Sequence, residues 1–104
     1  MIVTMGESVP GREVAEILGT VRGNTVRTRF FGRDIMAALR NLVGGEVPEY
    51  TKLMAEAREQ AIDRMIADAK ARGADAIISM RVTTSMIMGG SAELLAYGTA
   101  VRLS

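Results

Sequence analysis

The stretch Ala92 to Leu103 carries apolar side chains on both faces of the β-strand that its composition predicts. Leu95, Tyr97, Val101 and Leu103 fall on one face, and Leu94, Ala96, Gly98 and Ala100 on the other. An antiparallel sheet backed by helices on one side ordinarily leaves its second face wet, with polar residues there. An apolar second face needs a cover that one helical layer does not supply. Self-association is therefore expected, with Leu95, Tyr97 and Val101 at the contact between copies.

A single helical pattern is long enough to be that layer. Tyr50, Leu53, Met54, Ala57, Ala61, Met65 and Ala69 recur at spacings of three and four, while Lys52, Glu56, Glu59, Asp63 and Lys70 fall largely on the other side. Pro48 suits a first helical turn, and Gly73 follows Lys70 and Arg72 as a stop signal, which predicts a helix from Pro48 to Arg72. Its stripe of Ala and Met permits a close approach to a sheet.

The other segments read as strands and turns around it. Met1 to Thr4 is short and β-prone, and Pro10-Gly11 marks a turn. Arg12 to Val26 predicts a long strand, bent near Gly19 and Gly23-Asn24. A short helix is expected between Gly32 and Asn41, where Ile35, Met36, Leu39 and Leu42 recur before Gly44-Gly45. Ala76 to Thr84 alternates Ile78, Met80 and Val82 against Ser79, Arg81 and Thr83, the period of a half-buried strand. The fold class is α+β in one domain, residues 1–104: an antiparallel sheet packed with one long and one short helix.

Composition narrows the chemistry. The 104 residues include no Cys and no His, which removes disulfides, thiolate nucleophiles, imidazole bases and conventional zinc sites. A net charge of +1 is too small for a dedicated nucleic-acid or membrane-surface binder, although Arg22, Arg27, Arg29 and Arg33 form a local basic patch. With only two Phe, two Tyr and no Trp, stacking platforms for nucleic acid are lacking as well. Neither a secretion signal nor a run of about 20 apolar residues is present, so a cytoplasmic protein is expected. No arrangement activates a serine, and the reading leans away from an enzyme.

Polar residues nominate a ligand site without defining one. Arg22, Asn24, Arg33 and Asp34 lie in glycine-flanked segments where guanidinium groups and backbone N–H groups can hold an anion, and Glu93 interrupts an otherwise apolar strand. Pairing of Glu93 with Arg81 across a hairpin is the simpler expectation for that residue. Asp34, Glu56, Asp75 and Glu93 could supply oxygen ligands to a hard divalent cation, which is the alternative reading of the chain as a metal binder or metal-dependent enzyme. Asp75, just past a helix end, also reads simply as a turn residue. Met80, Met86 and Met88 present thioethers, but methionine more often fills gaps in a core.

Seven segments taken in order resemble the YbjQ-like family of bacterial and archaeal proteins. They are Val21-Arg22-Gly23-Asn24-Thr25-Val26, Gly32-Arg33-Asp34-Ile35, Leu42-Val43-Gly44-Gly45-Glu46, Tyr50-Thr51, Ala55-Glu56-Ala57-Arg58, Gly73-Ala74-Asp75-Ala76 and Ala96-Tyr97-Gly98-Thr99-Ala100-Val101. The resemblance implies a dodecin-like β-α-β-β arrangement, assembly into a homopentameric ring and a label of heavy-metal binding, with no established activity. The label fits these residues poorly, because soft metals prefer thiolate and imidazole. The resulting expectation is a non-catalytic ring that holds a small ligand or ion at its intersubunit clefts or central opening.

Overall fold

The computed structural model describes residues 1–27, 48–87 and 91–104. The short helix expected between Gly32 and Asn41, together with Arg33 and Asp34, lies outside them. Within them the chain forms β1 (Ile2–Val3), β2 (Val14–Arg27), α1 (Pro48–Ala71), β3 (Ala76–Ile87) and β4 (Ser91–Leu103). The four strands make one sheet in the order β1-β3-β4-β2. β4 runs antiparallel to both neighbours, so β2 and β3 are parallel to each other with β4 between them, and β2-α1-β3-β4 is the expected β-α-β-β unit. The sheet is mixed rather than purely antiparallel, because β1 adds at the edge parallel to β3. Strands of 12–14 residues make the molecule long, 54 × 23 × 17 Å.

Local chemistry sets the boundaries. The Arg12 N–H donates to the Val9 carbonyl at 3.1 Å, with Pro10 at the second position and Gly11 at φ 80° at the third, the dihedral pattern of a type II turn. At the end of α1 the Gly73 N–H bonds Lys70 O at 3.0 Å and the Ala74 N–H bonds Ala69 O at 3.1 Å. Those two bonds around Gly73, at φ 75°, form a Schellman motif that satisfies the last helical carbonyls.

Helix and sheet meet through small residues. Ala57, Ala61, Met65 and Ala69, four apart, are fully buried against Val21, Ile77, Leu94, Ala96 and Ala100. The approach is close enough that a Cβ on Gly23 would strike Ala61 O, the Met65 amide nitrogen and, at 2.7 Å, the Arg64 Cβ. Gly23 is thus a packing residue, whereas the bend in β2 sits at Gly19, at φ 110°, beside a register shift.

β3 departs from simple alternation. Ser79 adopts φ 54° at a register shift between Ile78 and Arg81, and its N–H donates to Gly6 O at 2.8 Å. One extra residue there rotates the strand. Ile78 therefore packs with Val101 and Leu103, while Met80 and Val82 turn to the helix side, instead of all three sharing a face.

Candidate functional site

Among the described residues one sheet face is covered by α1 and the other only partly. Directly opposed residues of an antiparallel pair share a face, so the register lays out rows across β2, β4 and β3. On the side away from α1 these rows are Arg22-Tyr97-Arg81, Asn24-Leu95-Thr83 and Val26-Glu93-Ser85. At one end of this face the chain closes over itself: Ala76, Val101 and Leu103 form a small core with Val9 and Ile78. Val101, expected at a subunit contact, is fully buried within its own chain and is a core residue. Leu95 and Tyr97 lie beyond that cover, half-buried, and with Thr20 and Arg22 they line an open cleft of about 370 Å³.

The structure gathers three of the expected ligand residues here. Arg22, Asn24 and Glu93 all belong to this face, on neighbouring rows. Glu93 lies opposite Val26 and Ser85 and does not pair with Arg81, which stands two rows away. The Arg81 guanidinium is engaged elsewhere, donating to Met5 O at 2.9 Å and Met80 O at 2.8 Å, where it pins the N-terminal segment against the bulge.

Asp34 lies outside the described residues, and the other carboxylates named as metal ligands do not converge. Glu56 is exposed on α1, 4.0 Å from Lys52. Asp75 Oδ2 accepts the Leu103 N–H at 2.9 Å and its own N–H donates to Val101 O at 2.9 Å, so it ties the turn after α1 to the end of β4. Among the described residues no three acidic side chains form a metal-holding group. Of the three methionines that present thioethers, Met80 packs on the core, Met86 is 70% exposed and Met88 lies outside the described residues.

Sequence reasoning missed how α1 treats the rim of the sheet. The helix lies mainly over β2 and β4 and barely reaches β3. From this position Arg72 donates to Leu18 O at 3.5 Å, Asp68 accepts the Arg22 N–H at 3.4 Å and Arg64 donates to Asn24 O at 2.6 Å. Residues four apart on a helix thus satisfy three outward backbone groups of edge strand β2. Arg27, in the basic patch, donates to Gln60 Oε1 at 2.9 Å, beside a groove of about 540 Å³ whose lining includes Glu56, Glu59 and Asp63. The spacing of Arg64, Asp68 and Arg72 was visible beforehand, but nothing in it said that they face a strand edge.

The comparisons with known proteins agree over the full length. A family model described as "Putative heavy-metal-binding" matches residues 1–104. An Archaeoglobus fulgidus UPF0145 protein is 60% identical over 103 residues, covering 99% of this chain and 95% of the relative. A Halorubrum lacusprofundi UPF0145 protein is 63% identical over 97 residues, 93% of each chain, and one from Shewanella frigidimarina is 52% identical over 103 residues, 99% of this chain and 96% of the relative. In fold the chain is similar to a protein of unknown function of the DUF74 family from Pediococcus pentosaceus, at a TM-score of 0.68 and 14% identity, covering 100% of this chain and 98% of the other. The donor set does not fit the metal named in the family description: without Cys or His the chain offers a soft metal only thioethers. No helix among the described residues is long and apolar enough to cross a membrane.

Proposed function

The chain belongs to the YbjQ-like, UPF0145 family, and from that premise we propose that it works as a homo-oligomer, expected as a ring of five. Its subunits meet across the uncovered sheet face, and a small ligand or ion is held where their clefts adjoin. One observation carries this reading. Central strand β4 buries Leu94 and Ala96 under the helix and leaves Leu95 and Tyr97 half-buried on the far side, where the chain has no further layer to place on them among the described residues. Apolar surface of that kind is stabilised by a partner. Arg22, Asn24 and Glu93 border it and are the polar groups available to a ligand at such a junction.

Native mass spectrometry on untagged protein purified without chelators tests both parts together. Five copies with a stoichiometric added mass are expected. Five copies of bare chain would remove the ligand, and a monomer would remove the reading altogether.

A further inference from the structure

The two rims of the sheet are built differently. The β2 rim is tended by Arg64, Asp68 and Arg72 of α1. On the opposite rim, β1 pairs with β3 only at Ala76 and Ile77, and the N-terminal segment continues to Met80, whose N–H donates to Thr4 O at 3.0 Å. Among the described residues the cover stops there. Backbone direction alternates along a strand, so Val82, Thr84 and Met86 point their N–H and C=O groups outward as Met80 does, while Arg81, Thr83 and Ser85 turn theirs to β4. Among the described residues nothing pairs with that outward row.

The sequence of this rim carries none of the devices that discourage strand addition. Val82-Thr83-Thr84-Ser85-Met86-Ile87 contains no charge, no Pro and no Gly, and a bare strand edge of that composition is a template for another chain. It is also complementary to itself. About a twofold axis at Thr84, antiparallel pairing sets Thr84 against Thr84, Val82 against Met86 and Thr83 against Ser85. Each of these three pairs is hydroxyl with hydroxyl or apolar with apolar, Ile87 falls opposite Arg81 of the second copy, and no like charges meet. The axis also places the Met86 side chain, 70% exposed in the single chain, beside Val82 of the second copy.

We infer that the Val82–Ile87 rim of β3 pairs antiparallel with the same rim of a second copy, continuing the sheet across a twofold axis centred on Thr84. This contact uses the edge of the sheet and the ring uses its face, so neither depends on the other. Where both operate and the twofold axis crosses the fivefold at a right angle, two rings of five are joined back to back.

The absence of cysteine makes the test clean. A Thr84→Cys substitution places one thiol opposite its own copy, at a Cα separation of about 5.5 Å for a hydrogen-bonded antiparallel pair, within the range a disulfide spans. Mild oxidation of the folded variant should convert most of it to a covalent dimer on a non-reducing denaturing gel, reversed by reductant. Thr83→Cys, which faces Ser85 rather than itself, should remain a single chain. A Thr84→Cys protein with unchanged circular dichroism and melting that does not cross-link, or that cross-links no better than Thr83→Cys, overturns the inference. Should that variant fail to fold, amide exchange on the unaltered protein decides. Slow exchange at Val82, Thr84 and Met86 that is lost on dilution supports the pairing. Exchange that is fast at every concentration, or slow and indifferent to dilution down to the monomer, defeats it. If Tyr97→Lys abolishes the ring while Thr84→Cys still cross-links in that background, the face and edge contacts are separate.

Discussion

Gly23 stands where a side chain would enter the backbone of α1. Replacing it with Ala forces the helix off the sheet or strains both, and overpacking of this kind costs about 1–3 kcal/mol, with backbone atoms in the way favouring the upper end. Gly23→Ala should lower the urea midpoint accordingly, and an unchanged midpoint would show that the helix sits farther out. Single positions also mark where sequence reading stops. The two-faced pattern of β4 was readable residue by residue, since Leu94, Ala96 and Ala100 do face the helix. The enclosure of Val101 was not, because Val9, which helps to cover it, is distant in sequence and Pro10-Gly11 announces a turn without saying where the turn lands. Ser79 at φ 54° was equally hidden: a positive φ is a strong expectation only for Gly, and this one is held by a bond to Gly6 from outside the strand.

Among elements, α1 and the long strands were predictable because each carries its own period and stop signals. α1 ends one residue short of the expected Arg72, at a Gly-centred cap, β4 begins one residue early, and β3 runs three residues past the expected Thr84, to Ile87. What periodicity could not supply was the placement of α1 across the sheet. A helix centred on the sheet and one leaning over β2 bury the same Ala and Met stripe, and only the second brings Asp68 to the Arg22 N–H. Asp68→Ala should therefore speed amide exchange at Arg22 by a few-fold, the size of one exposed hydrogen bond, while the Val21 amide, directed toward β4, keeps its rate. Equal acceleration at both positions would mean general loosening instead. The candidate site was readable in part. Arg22, Asn24 and Glu93 were brought to one face by strand register, whereas Glu56 and Asp75 were scattered because membership in separate motifs carries no distance between them.

For the whole molecule, the proposed assembly predicts a contrast between two positions on the same face of β4. Tyr97→Lys puts a charge on the half-covered surface and should shift sedimentation to a smaller species with little loss of monomer stability. Val101→Ala removes two methyl groups from a sealed core, should cost about 2 kcal/mol and should leave the sedimentation coefficient alone. The reverse pattern would move the contact to the Val101 end. The strand order has a further consequence in time. β4 joins β2 to β3, yet it leaves the ribosome after both of them, so until it emerges neither long strand has its main partner. Helix α1 can coil on its own schedule, but the sheet must wait and then close in one step over a long sequence separation, which is slow. During that wait β2 and β3 are exposed together, which makes nascent chains stalled before Ser91 the form most in need of a chaperone.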